Sequence, residues 1–306
     1  MSEGPGRALQ PAIVVDIGAT KTVIAYFSDD NVTPLDRFPT PEQGGEAVGA
    51  IAASLESHRG GLGRIERIGV GAPGPLDAAR GVILSPPNLP GWRDYPLVAE
   101  LQRRTDLPAR LENDANLGAL GEAIFGSGRS HFSVFYLTIS TGVGAGLVID
   151  GEIFGGYRGM AGEVHAIDPQ TYFGCESGYD LNDRASGAGM VRSAKRLIDE
   201  GASTKLESTG LDTYRLLAAL EQGDPVAVET VEGARNAVAG LLINVLAILA
   251  PAVVVLAGGL CTDNRWIVDP VRERVHRWMR LPELAEIPIE RAALWDKAVL
   301  YGAAAL

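Results

Sequence analysis

Two short apolar runs, each followed by a small polar turn bearing glycine and then by a second apolar run, constrain this chain more than any other feature. The first set is residues 12–16 (AIVVD), the turn IGATK and residues 22–27 (TVIAYF). The second is residues 134–139 (VFYLTI), the turn 140–146 (STGVGAG) and residues 147–150. β-Branched runs on either side of a glycine-bearing turn predict a β-hairpin. Both halves of the chain therefore open on the same local device, an internal duplication of architecture. With 306 residues there is room for two units of ordinary domain size.

Around the hairpins the pattern alternates. Residues 46–58 have helical periodicity, 67–72 (RIGVGA) return to strand, and Pro73-Gly74-Pro75 forces a turn. Residues 88–92 (NLPGW) form a loop before a helix at 97–104, and a short strand at 107–112 ends at Asn113-Asp114, where a helix over 115–125 begins. Beyond the second hairpin lie a polar region at 155–187, helices near 188–199, 211–221 and 224–249, and a buried strand at 253–257 broken by Gly258-Gly259. Helices and a short strand follow, ending in residues 298–306.

Charge and cysteine content exclude several function classes. The formal charge is −11, and no dense Lys/Arg cluster reverses it locally, so a nucleic acid partner is not expected. Two cysteines far apart, Cys175 and Cys261, do not make a disulfide scaffold and fit a reducing compartment. The opening MSEGPGRALQ lacks the apolar run of a signal peptide. The most apolar stretch, 241–258, carries Asn244 and is broken by Pro251, so it predicts a buried helix and strand and no membrane span. A cytoplasmic soluble protein is the expectation.

Each polar motif has a chemical reading and a plainer one. Asp16-Ile17-Gly18-Ala19-Thr20-Lys21-Thr22 sets a carboxylate at a strand end beside free N–H groups and hydroxyls. Such a turn can hold phosphate oxygens while Asp16 holds hydrated Mg²⁺; otherwise it is an ordinary hairpin turn. The turn containing Thr141, Gly142 and Gly144 offers a second phosphate-facing site. Its GxGxG string fails the dinucleotide fingerprint because a strand follows it where a helix is required. Asp114 in residues 112–116 (ENDAN) is a candidate base for phosphoryl transfer, against the alternative that Asp114 or Asn113 caps the next helix. Glu163 and His165 lie in a Gly-rich loop and are either ligands or solvated residues. Gly258-Gly259 either admits a ligand close to the backbone or ends a strand.

Taken together, these segments resemble the ROK family of sugar kinases and related repressors. The carriers are residues 16–22 (DIGATKT), 71–77 (GAPGPLD), 87–92 (PNLPGW), 112–116 (ENDAN), 138–151, 253–259 and 298–304 (AVLYGAA), running from about residue 12 to the C-terminus. The resemblance implies an α/β, two-lobed, actin-like (RNase H-like) ATPase fold, each lobe a mixed sheet flanked by helices around a cleft. Residues 1–113 would form the N-terminal lobe, with 297–306 packing back on it, and 114–296 the C-terminal lobe. It implies a sugar kinase using ATP and Mg²⁺, with Asp16, Gly18, Thr20, Lys21, Thr22, Thr141, Gly142, Gly144, Gly258 and Gly259 on the nucleotide and metal. Asn88, Asn113, Glu163, His165 and Asn182 would hold the sugar, and Asp114 would take the proton from its hydroxyl, a primary one by the family's habit. Dimers are common in the family, so a homodimer is compatible with this reading.

One segment departs from the family pattern. Zinc-containing members carry Gly-His after the Glu and then a CxCGxxGCxE segment, whereas this chain reads Glu163-Val164-His165-Ala166 and then FGCESGYDLN over 173–182. Phe173 and Asp180 stand at two cysteine positions, only Cys175 survives, and Asn182 stands where a sugar-binding Glu is found. A structural zinc site needs four N or S ligands, so no zinc is expected. Asn can donate a hydrogen bond where Glu only accepts, which points to a modified hexose as substrate: an amino sugar such as kanosamine, or a C7-cyclitol. The rival readings are a ROK-type repressor, for whose DNA-binding region residues before 12 leave no room, a non-catalytic sugar-binding protein, and another actin-like ATPase.

Overall fold

The computed structural model describes residues 9–168 and 179–306. The chain begins with a meander, β1 (Ala12–Ile17), β2 (Lys21–Ser28) and β3 (Asn31–Pro39), followed by α1 (Gly44–His58) and β4 (Arg67–Ala72). A small hairpin, β5 (Leu76–Asp77) with β6 (Val82–Ile83), leads to α2 (Leu97–Thr105), β7 (Ala109–Asn113) and α3 (Asp114–Phe125). The second meander is β8 (Ser133–Ile139), β9 (Val143–Ile149) and β10 (Glu152–Ile153). Helices α4 (Leu181–Ala185), α5 (Gly187–Asp199), α6 (Thr213–Glu221) and α7 (Pro225–Leu249) precede β11 (Val253–Ala257). The chain closes with α8 (Val268–Trp278), α9 (Pro282–Ala285), β12 (Ile289–Arg291) and α10 (Ala298–Ala305).

The two large sheets share one plan. Their strand orders are β3-β2-β1-β4-β7 and β10-β9-β8-β11-β12. In each, the first strand of the meander pairs antiparallel with its hairpin mate and parallel with a later strand: Val15 faces Ile24 and Val70, and Leu137 faces Ala145 and Leu256. The duplication legible at the hairpins thus extends over all five strands.

Both faces of these strands are buried, which is why they read as unbroken apolar runs. Ile13, Val15 and Ile17 pack with α1, α2 and Trp92, while Ala12 and Val14 point the other way, toward Leu117 of α3 and Leu300 and Ala303 of α10. In the second sheet Val254 and Leu256 join the core with α4–α8, and Val253, Val255 and Ala257 join Ala119 and Leu120 of α3. Helices α3 and α10 therefore lie between the two sheets. They cross closely because Gly121 and Gly302 face the partner backbone: a Cβ on Gly302 would sit 2.0 Å from the Leu117 carbonyl oxygen, and one on Gly121 would sit 2.2 Å from that of Ala298.

By length and composition α7 could cross a membrane, yet its Val231, Ala234, Val238 and Leu242 are wholly buried in the core shared with its neighbours α4, α5, α6 and α8.

The short strands β5, β6 and β10 and the one-turn helix α4 were not expected, and two longer elements also differ from the sequence expectation. β3 was not expected; it is an edge strand carrying Pro34 and Pro39, with a register shift opposite Ile24 and Ala25. Proline and charge are tolerated there because one edge needs no partner, and they hide the strand signal. β9 begins at Val143, so the second polar turn is only residues 140–142, shorter than the 140–146 expected.

Candidate active site

The turn between β1 and β2 is closed by the Gly18 amide donating to the Lys21 carbonyl at 2.9 Å, which leaves Ala19 and Thr20 exposed at its tip. Thr40, just past β3, holds it from below. Its hydroxyl donates to the Gly18 carbonyl at 2.7 Å and its amide to the Thr20 carbonyl at 3.1 Å. Thr22, expected on the nucleotide, is wholly buried with its hydroxyl 3.0 Å from that of Thr40. Thr22 is therefore placed as a support of the turn, because burial removes it from any ligand. Thr40 was missed: nothing in the surrounding TPEQGG stretch sets it apart.

The β8–β9 turn is closed by the Ser140 amide on the Gly142 carbonyl at 2.8 Å and steadied by the Gly187 amide on the Ser140 carbonyl at 2.7 Å. Thr141 and Gly142 are exposed. Gly144, expected on a phosphate, lies inside β9, where a Cβ would come 3.2 Å from that of Ala115; at Gly146 it would come 2.8 Å from the Ala115 carbonyl oxygen. These glycines let α3 lie against the strand. Asn182, expected on the sugar, accepts the Val143 amide through Oδ1 at 3.2 Å and so buttresses this same turn.

Gly258 ends β11 with φ of +89°, a conformation natural to glycine, and a Cβ there would sit 2.3 Å from the Ile139 carbonyl oxygen. Gly259 is exposed, and a Cβ on it would lie 3.8 Å from the Ser140 hydroxyl, so this turn stands beside the second polar turn. Cys261 next to it is wholly buried and its thiol is pushed up to about 12.

Between these turns sits a pair of carboxylates. Asp16 is the penultimate residue of β1, and Asp114 opens α3. Asn113 is the helix cap, its Oδ1 accepting the Ala115 amide at 2.9 Å and the Asn116 amide at 3.3 Å. Glu112 Oε1 accepts the Asn113 amide at 2.8 Å and the Asn116 side-chain amide at 3.0 Å, locking the junction. Capping thus falls to Asn113, and Asp114 spends one oxygen on the Ala115 amide at 2.8 Å. Burial, opposed by that amide and augmented by the charge of Glu163, pushes the Asp114 carboxyl up to about 6. Burial first and then the charge of Asp114 push Asp16 up to about 7, with Lys21 opposing and Asp296 adding to the rise.

The sugar-side residues gather less tightly. Gly162, φ +90°, presses on β9 so that a Cβ would meet the Ala145 carbonyl oxygen at 2.4 Å; it holds the loop that carries Glu163 and His165. These two pair at 3.1 Å, Nδ1 to Oε2, each about half exposed. Asn88 is exposed on a loop anchored by buried Leu89 and Trp92, whose indole donates to the Pro41 carbonyl at 3.0 Å. Residues 173–178, on which the zinc expectation rests, lie outside the described residues.

The acid pair fits a hydrated Mg²⁺, since a cation beside Asp16 would offset the Asp114 charge that helps raise the Asp16 carboxyl. Among the described residues no group of three or more His, Cys, Asp or Glu could hold a metal unaided, so phosphate oxygens and water would have to complete the shell.

Two further residues were not legible beforehand. Glu122 at the end of α3 is wholly buried and accepts the amides of Ser127, Ala293 and Leu294 at 2.8, 3.1 and 2.8 Å, tying α3 to the segment that leads into α10. Trp295 in that segment has φ of +54° and is 40% exposed. The Arg291 guanidinium lies 4.6 Å from its ring centroid, and Arg291 Nη1 donates to the Thr262 carbonyl at 3.0 Å. A left-handed backbone at such a residue costs about 1–2 kcal/mol, while an exposed cation–π contact returns about 0.5–1 kcal/mol.

Comparison with known proteins adds to this geometry. A family model described as the ROK family matches residues 12–306. The glucokinase of Streptomyces coelicolor is 33% identical over 308 aligned positions covering 96% of each chain. Among solved structures, a ROK hexokinase from Thermus thermophilus superposes with a TM-score of 0.80 at 34% identity, covering 96% of this chain and 97% of that one. A ROK family glucokinase from Streptomyces griseus, solved with glucose and AMPPNP, gives 0.79 at 31% identity, with 97% and 98% covered. The architecture is thus the two-lobed, actin-like one that the sequence resemblance implied.

Proposed function

Because the chain belongs to the ROK family, we propose that this sugar kinase transfers the terminal phosphoryl group of ATP to a hydroxyl of a hexose or hexose-like substrate, with Asp114 as the base. The observation that carries the reading is the raised carboxyl of Asp114 at the start of α3, beside that of Asp16.

The cleft between the lobes, divided at the 113/114 junction, would hold the nucleotide against residues 18–21, Thr141, Gly142, Gly258 and Gly259, with Asp16 on the metal. When bound, ATP–Mg²⁺ supplies the phosphoryl group and neutralises the charge that develops on it. Asp114, with one oxygen held by the Ala115 amide, accepts the proton of the attacking hydroxyl; a pKa near 6 leaves it mostly ionised at neutral pH and still basic. Exposed amides at the two turns offer donors to phosphate oxygens. Glu163, His165 and Asn88 face the acceptor, and closing the lobes on it would exclude water and suppress ATP hydrolysis.

The finer part of the proposal is the acceptor: a modified hexose such as kanosamine, or a C7-cyclitol, phosphorylated at a primary hydroxyl. Support comes from the contact between Glu163 and His165, which partly satisfies the carboxylate within the protein, and from the altered Glu163-Val164-His165-Ala166 loop. The test is an ADP-release assay with ATP–Mg²⁺ against glucose, mannose, fructose, N-acetylmannosamine, kanosamine and C7-cyclitols, with Asp114→Asn as control. Turnover of any of them, abolished in the control, supports the kinase. Glucose turned over as well as or better than kanosamine and the cyclitols overturns the finer assignment. No turnover above the control with any acceptor overturns the kinase reading for this set and favours a non-catalytic sugar binder or regulator.

A further inference from the structure

We propose that Trp295 and Arg291 are positioning residues for the nucleotide, clasping the loop after Gly258-Gly259 to the crossing that runs beside Asp16. The inference rests on the reading above, in which the nucleotide lies against Gly258-Gly259.

Trp295 stands where glycine would be free of strain, since its φ is +54°. The stack on Arg291 does not by itself outweigh the backbone cost, and with 40% of the residue exposed the ring keeps a face open to a ligand. Strain of this kind persists where surrounding structure over-determines it, and it gathers at ligand clamps. Here the surroundings are rigid. The Ser127 hydroxyl donates to the Arg291 carbonyl at 2.6 Å, and Glu122 holds the amides of Ala293 and Leu294.

The indole and the guanidinium then join two sides of the cleft. Arg291 leaves the end of β12, beside β11, and holds the Thr262 carbonyl, three residues past Gly259. Trp295 opens the short segment that runs directly into α10, and α10 packs against β1, the strand that carries Asp16 of the first sheet. One stack thereby sets the nucleoside-side loop of the second sheet relative to the metal-side carboxylate of the first. A nucleotide spanning both would meet them at a fixed separation, so part of its ordering cost is met before it binds.

The experiment measures the dissociation constant of AMPPNP–Mg²⁺ by calorimetry on the full chain. Trp295→Gly keeps the backbone conformation and removes the ring, Trp295→Phe keeps a ring, and Arg291→Ala removes the other half of the stack. The expected result is at least tenfold weaker binding for Trp295→Gly and Arg291→Ala, with Trp295→Phe within about threefold of the parent and all midpoints of thermal unfolding close to the parent's. Unchanged affinity in Trp295→Gly, or failure of Trp295→Phe to restore it, overturns the inference. Should Trp295→Gly not fold, Arg291→Ala carries the test by the same criterion. A parent chain that binds no AMPPNP–Mg²⁺ overturns the site reading itself, an outcome distinct from bound nucleotide with indifferent variants.

Discussion

Asp114, at the start of α3, bears electrostatically on Asp16, near the end of β1: after burial, its charge is the largest cause raising the Asp16 carboxyl to about 7. The two come from opposite ends of the β1–α3 segment, so the fold and not the local sequence brings their charges within reach of each other.

This pair predicts a pH profile. In its proposed role Asp114 must be ionised to accept a proton, and its pKa is raised from 3.8 to about 6. At saturating Mg²⁺, kcat/KM for the acceptor should therefore fall about tenfold per pH unit below about 6. The profile should be flat on that side in Asp114→Asn, whose residual rate should be about 10²–10⁴-fold lower than the parent's. A parent profile that stays flat down to pH 4.5 would remove Asp114 from the role of base.

Stability should move the opposite way. A carboxyl whose folded pKa is raised contributes stability that is fully present below the unfolded value, 3.8, and is lost as pH rises through the folded value, here about 7. Without ligands, Asp16→Asn should be more stable than the parent at pH 8, by on the order of 1–3 kcal/mol, with the difference vanishing near pH 4. Thermal denaturation at both pH values checks the sign. Mg²⁺–AMPPNP should raise the parent's midpoint more than the variant's.

Glu122 predicts a structural loss. Removing a buried carboxylate that accepts three backbone amides strands those donors, so Glu122→Ala should cost about 3 kcal/mol or more in urea unfolding. Glu122→Gln should cost less, because its carbonyl still accepts.

Glycines separate packing from phosphate contact. Gly144→Ala should lower stability by about 1 kcal/mol by pressing on Ala115, with KM for ATP within twofold. Gly302→Ala should be far worse, because its Cβ would enter the Leu117 carbonyl at the α3–α10 crossing. A large rise in KM for ATP in Gly144→Ala would return that residue to the nucleotide.

Much of the fold was readable because its signals are local. The hairpins at β1–β2 and β8–β9, the helices α1, α2, α5 and α7 and the buried β11 each carry their periodicity or turn chemistry within a few residues. β3 escaped because an edge strand tolerates proline and charge, and the start of β9 escaped because glycines packed beneath a helix look like a turn. Asp16, Asp114 and the Gly258-Gly259 turn were named beforehand, since a carboxylate at a strand end and glycines after one are short-range patterns.

The sequence by itself determined the duplicated strand–turn–strand plan, the family, and which residue types stand at the cleft. Tertiary structure alone decided their division of labour. Thr22 turns inward to Thr40, Asn182 to the Val143 amide, Gly144 beneath Ala115, and Glu122 to a segment 171 and 172 residues away. A hydroxyl, amide or carboxylate serves whichever partner burial leaves it. That partner is set by how two sheets close on α3 and α10, which no window of neighbouring residues contains.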